Sequence, residues 1–217
     1  DLFELNFDVR EEITAPIVDC LYSDSESLQR VLDNKIIINF PYSSKISREF
    51  VMASSMHPDH VWEPQTTRLL LELNKKSQNV LIGGAYWGDQ AILVANSIKN
   101  VGEVHCFELN SSNVKFLSKN ADANNLSNIR IINKALWDVD NVLVNLLGED
   151  SLETCAESRD DDPYAHKTIT IDTYGKEHAI SSIDLIMLDI EGGELKALKG
   201  AEYYLSMPID KAPNLIF

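Results

Sequence analysis

The sequence predicts an α/β domain: a mostly parallel, Rossmann-like sheet with helices on both faces, preceded by an N-terminal extension. Three observations carry that expectation. Short apolar runs alternate with stretches of helical spacing, the first of these runs ends in a glycine-rich turn, and a later one ends in clustered acids.

The apolar runs are Val80 to Gly84, Val104 to Phe107, Ile129 to Ile132, Ile183 to Leu188 and Leu215 to Phe217. Helical spacing fills Asp89 to Ile98, Asn113 to Ala123 and Glu194 to Leu205, and a further helix is expected over Pro64 to Lys75. Strands buried on both faces read as continuous apolar runs, which is why the alternation points to a parallel sheet. The stretch 141–172 breaks the rhythm with Val142-Leu143-Val144, an acidic loop at Arg159-Asp160-Asp161-Asp162-Pro163 and a β-branched run from Thr168 to Ile171. It is expected to form a hairpin-like insertion. Residues 1–60 keep no sustained period and are expected to be an irregular or helical extension or a lid before a main domain at 61–217. Both ends look cut, so the sheet is expected to be truncated after its fifth strand. A further domain or a second subunit is then expected at that edge.

The chain has 217 residues, 44% hydrophobic and 24% charged, ordinary for a globular domain with one sizeable core. Its formal charge of −15 would repel a phosphate backbone, so nucleic acid is not an expected partner. Cys20, Cys106 and Cys155 show neither disulfide nor metal-site spacing, which fits a reducing cytoplasm. No apolar run approaches the ~20 residues of a membrane span.

The turn Gly83-Gly84-Ala85-Tyr86-Trp87-Gly88-Asp89 lies between the first strand and a helix. Glycines there let backbone approach a ligand, though a plain tight turn uses them equally. Glu108 strengthens the ligand reading, because it ends the second apolar run 24 positions after Gly84. An acid at about that distance meets ribose hydroxyls in nucleotide-binding βαβ units. A diphosphate site would want a second glycine where Ala85 or Tyr86 stands. The turn therefore leans toward a nucleoside without phosphates, S-adenosylmethionine, and away from NAD.

The second constellation is Asp189-Ile190-Glu191-Gly192-Gly193-Glu194, delivered by the apolar run Ile183 to Leu188. Ligands of open α/β sheets bind at the carboxyl ends of strands, where these acids fall. Grouped carboxylates supply a base or hold a divalent cation such as Mg²⁺, while Glu194 is also an ordinary first-turn helix acid.

Together these residues resemble the FkbM-like family of class I methyltransferases. The resemblance runs from about Trp62 to Phe217. Its carriers are Trp62-Glu63-Pro64, Gly84-Ala85-Tyr86-Trp87-Gly88, Phe107-Glu108-Leu109-Asn110 with Asn113, Leu117 and Asn120, Lys134-Ala135-Leu136, and Asp189 to Glu194 with Leu198-Lys199-Gly200-Ala201. It implies an S-adenosylmethionine-dependent enzyme that O-methylates a small molecule such as a natural product, polyketide or sugar. It also implies that Gly84, Ala85 and Gly88 line the methionine and ribose side, with Gly83, Tyr86, Asp89 and Leu109 around them. Glu108 would hold the ribose, Ala135 would lie near adenine, and Glu63 would look into the pocket. Asp189 and Glu191 would face the methyl group and the acceptor.

Two residues depart from the family pattern: Ile82 stands where an Asp is usual, and Met187 where a Lys is common. They motivate the alternative of a binding module without catalysis; an NAD-dependent oxidoreductase is the other alternative. Methyl transfer needs alignment and one proton acceptor, for which Asp189 is the first expectation, then Glu191. His57, His60 and His166 are outside candidates on loops.

Overall fold

The computed structural model describes residues 9–22, 27–53, 57–58, 61–148, 154–158 and 162–217. The chain divides into two compact units, Asp1–Thr67 and Arg68–Phe217.

The first unit holds more regular structure than the sequence suggested. A π-helical turn, Arg10–Thr14, runs into α1 (Ala15–Tyr22), and a hairpin follows, β1 (Leu28–Val31) antiparallel to β2 (Ile37–Phe40). Next comes α2 (Lys45–Met52), which Ser44 starts by accepting the Ser47 N–H at 3.0 Å. Arg30 of β1 donates to the carbonyls of Phe50, Val51 and Ala53 at 2.9, 3.1 and 3.0 Å, covering acceptors that the end of α2 would otherwise leave open. The hairpin was not legible because its strands span four residues each. Helix α3 (Pro64–Leu73) crosses the boundary between the units.

The second unit is an α/β fold on five parallel strands. These are β3 (Asn79–Gly83), β4 (Glu103–Phe107), β5 (Ile129–Ile132), and then, after a second sheet, β10 (Leu185–Leu188) and β11 (Asn214–Ile216). Their order in the sheet is β11-β10-β3-β4-β5. The chain steps outward from β3 in one direction and later returns to its other side. Right-handed crossovers then place α4 (Ala91–Ile98) and α5 (Ser111–Ala123) on one face, and the helices flanking β10 on the other. Strands between two helical layers must be apolar throughout, and β10 is buried at all four residues. On its second face Leu81, Phe107, Ile186 and Leu188 pack with Tyr174, Ala197 and Tyr204.

The second sheet comprises β6 (Ala135–Leu136), β7 (Leu143–Leu147), β8 (Thr154–Glu157) and β9 (His166–Ile169), in the order β6-β9-β7-β8. Within it β7 pairs antiparallel with β8, and its first strand begins at Ala135. The expectation of a sheet cut short after its fifth strand is not supported: four further strands are present, placed between β5 and β10 in sequence rather than beyond β11. A helix, α6 (Ile171–Glu177), follows β9 where a β-branched run was expected to continue; Thr170 caps it, its hydroxyl accepting the Thr173 N–H.

One helix was expected over Glu194 to Leu205, but two form, α7 (Glu194–Lys199) and α8 (Glu202–Leu205). The break falls at Gly200, where a Cβ would sit 2.1 Å from the carbonyl oxygen of Trp137. Among the described residues no helix is long and apolar enough to cross a membrane.

Candidate functional site

The strand order reverses between β3 and β10, and at such a switch point the loops leaving the two strands part and open a crevice. The loops that leave β3, β4 and β10 there carry most of the residues singled out from the sequence.

Gly83 ends β3, opposite Leu188 of β10. The next two residues turn sideways: the N–H groups of Gly84 and Ala85 both donate to the carbonyl of Phe107, at 3.0 and 3.1 Å. Tyr86 adopts φ +50°, a left-handed conformation uncommon outside glycine, and Gly88 closes the turn by donating to Ala85 O at 2.9 Å. Asn120 of α5 secures it from below, donating to the carbonyl of Trp87 at 2.9 Å. Ala85 and Asp89 are buried.

Glu108 stands just past β4 and is only 7% exposed. Its Oε2 accepts the N–H of Tyr86 at 2.7 Å, and its Oε1 accepts the N–H of Asn110 at 2.8 Å. The strained residue of the turn is thus tied to the acid that the sequence assigned to ribose. Both carboxylate oxygens therefore face backbone N–H groups at the ends of β3 and β4. Asn110 also caps α5, accepting from Ser112 N. Leu109, the residue after Glu108, packs with Ala135, Trp137 and Val144 into an apolar cluster. Burial raises the thiol pKa of Cys106, and the Glu108 charge pushes the same way, so this cysteine stays neutral.

At the end of β10, Asp189 is tied back to the turn: its N–H donates to Gly83 O at 3.0 Å, while its side chain lies at the exposed rim. Glu191 (φ +48°) and Gly192 (φ +98°) bend the chain into α7. Glu194 folds back over this bend and accepts from Ile190 N at 3.1 Å and from Gly192 N at 3.0 and 3.1 Å. It therefore braces the loop that bears the other two acids. Among the described residues no three His, Cys, Asp or Glu side chains gather closely enough to hold a metal ion.

Glu63 and His57 belong to the first unit, where His57 pairs with Asp33. His60 lies outside the described residues. His166 is on β9, its imidazole pKa lowered by burial.

Ile82 and Met187, the two departures from the family pattern, are register partners on adjacent strands, 2% and 5% exposed. An apolar pair stands where the pattern would set opposite charges side by side, and neither member leaves a lone buried charge.

Missed by the sequence reading was Asn133, just past β5. Its Nδ2 donates to the carbonyls of Glu108 and Leu109 at 2.8 and 2.9 Å. The available signal was an amide at the carboxyl end of a third strand.

Fold and loops together define a doubly wound α/β domain with Glu108 and Asp189 at the strand ends that flank its switch point. The chain belongs to the methyltransferase FkbM domain family, whose pattern it matches over residues 83–216. No curated protein matches the chain. It is similar to the crystal structure of an FkbM methyltransferase from Methylobacillus flagellatus, with 22% identity over 64% of this chain and 32% of that one, at a TM-score of 0.44. It is also similar to a SAM-dependent methyltransferase from Agrobacterium tumefaciens, with 12% identity over 76% and 39% of the two chains, at a TM-score of 0.42. The chain therefore spans well under half the length of these relatives.

Proposed function

We propose that the second unit binds S-adenosylmethionine in the crevice between β3, β4 and β10 and transfers its methyl group to a hydroxyl of a small molecule. The observation that carries this reading is the Glu108 carboxylate, held by the N–H groups of Tyr86 and Asn110 beside the turn after β3. Membership of a methyltransferase family supports it.

The residues suit the donor. Glu108 is the proposed acceptor of the ribose hydroxyls, a carboxylate being an acceptor through two oxygens, and adenine is placed next to the apolar cluster of Leu109 and Ala135. A diphosphate would meet Tyr86 where dinucleotide sites keep a glycine. When bound, the donor supplies a methyl group already activated as a sulfonium. The protein's own work is then alignment and proton removal. Asp189, anchored through its backbone to the β3 turn, is the proposed proton acceptor for the acceptor hydroxyl, with Glu191 beside it in sequence. Mg²⁺ held by Asp189, Glu191 or Glu194 is the other route to a more acidic hydroxyl; in this geometry Glu194 is engaged by backbone N–H groups.

Melting the chain with S-adenosylmethionine, S-adenosylhomocysteine and NAD separates the alternatives. A rise with the first two and none with NAD supports the donor site; a rise with NAD only overturns it. Labelled methyl transfer to a panel of hydroxylated sugars and polyketides, with and without chelator and Mg²⁺, tests the reaction. Donor binding without transfer to any of them would favour the non-catalytic module.

A further inference from the structure

Asn133 is an exposed residue that spends both amide protons on the backbone of the site. In a parallel ladder the last rung between β4 and β5 here is Glu108 N to Ile132 O, at 3.1 Å. Beyond it the side chain of Asn133 takes over from the backbone, with Nδ2 donating to Glu108 O and Leu109 O at 2.8 and 2.9 Å. Successive carbonyls of an extended strand point to opposite sides. For both to reach one nitrogen, the chain must leave extended geometry between Glu108 and Leu109. That same bend brings the Glu108 carboxylate back to the N–H of Asn110, two residues on.

The chemistry is particular to an amide. Nδ2 has two N–H donors and no charge, a serine hydroxyl has one donor, and an aspartate would set a charged acceptor against two carbonyl oxygens. Asn133 is exposed, so the apolar core does not depend on it. We infer that Asn133 is a positioning residue of the donor site: by pinning the Glu108–Leu109 peptide it holds the Glu108 carboxylate where ribose hydroxyls meet it. This rests on the donor-site reading above.

A double-mutant cycle tests it, with S-adenosylhomocysteine titrated calorimetrically into the whole chain as wild type, Asn133→Ala, Glu108→Ala and the double variant. Two lost hydrogen bonds of ordinary strength should weaken binding by roughly tenfold in Asn133→Ala. If Asn133 acts through Glu108, the same substitution should change affinity by less than about twofold once Glu108 is alanine, because coupled residues are not additive. A melting curve checks that each variant is folded, and Asn133→Ser stands in if the alanine variant is not, with a smaller loss expected. Asn133→Asp should be worse than Asn133→Ala. Equal losses in both backgrounds, or no loss in either, overturn the inference while leaving the donor site intact. Failure of the wild type to bind removes the donor-site reading itself, and the inference with it.

Discussion

Gly84 and Asp189 pack backbone against backbone: a Cβ built on Gly84, whose φ is +76°, would lie 1.9 Å from the carbonyl oxygen of Asp189. The glycine that seemed from sequence to make room for a ligand also makes room for the neighbouring strand end. The turn after β3 and the end of β10 are therefore fastened to each other.

Gly84→Ala should consequently damage both at once. The left-handed φ and the clash together should cost about 2–4 kcal/mol, the range of strained or overpacked sites. Thermal melting should show that loss, and affinity for S-adenosylhomocysteine should fall with it. A variant with unchanged melting and affinity would show that the two strand ends move independently.

Asp189→Asn keeps that backbone contact and the side-chain shape. It should leave donor affinity within about twofold and lower turnover by ~10²–10⁴, the usual contribution of a positioned proton acceptor. Turnover on an identified acceptor measures this, and full activity would move the base elsewhere.

Ile82 and Met187 make a reciprocal prediction. Ile82→Asp on its own buries a charge beside Met187 and should destabilise the fold by about 3–5 kcal/mol, as does leaving half of a buried ion pair. Adding Met187→Lys should recover a substantial part. Denaturant titration of the single and double variants checks it; equal stability of the two would mean that the residues do not meet.

His105 gives the pH dependence. It is 1% exposed, its Nδ1 lies 2.9 Å from the hydroxyl of Tyr174, and burial holds its pKa down to about 4, against the pull of Glu103. The unfolded chain takes up this proton near pH 6.5, before the folded one does, so stability is unaffected above that pH. It should fall between pH 6.5 and 4, by up to roughly 3 kcal/mol once both states are protonated. Melting of wild type and His105→Gln across that window should show a shallower decline in the variant, which has nothing to titrate there.

The parts of the site legible in sequence were those that obey a local rule. Glycines after an apolar run and an acid ending the next one located Gly84 and Glu108, and Asp189 followed from its place at the end of β10. Features that depend on distant contacts were not legible. Gly200 breaks a helix because of Trp137, far away in the chain, and β6 is two residues long, visible only through its pairing with β9. Glu194 belonged to the acidic cluster in sequence, but its carboxylate closes a turn, an outcome set by the backbone angles of Glu191 and Gly192. Asn133 has no period or motif to mark it, since its partners are carbonyls.

Donor binding in this protein requires the ribose to reach Glu108. Calorimetric titration of S-adenosylhomocysteine into the wild type should show binding that NAD does not displace, and Glu108→Ala should weaken it by about 1–3 kcal/mol, the range for hydrogen bonds to a charged group. Unchanged affinity in Glu108→Ala, or preferential binding of NAD by the wild type, would contradict it.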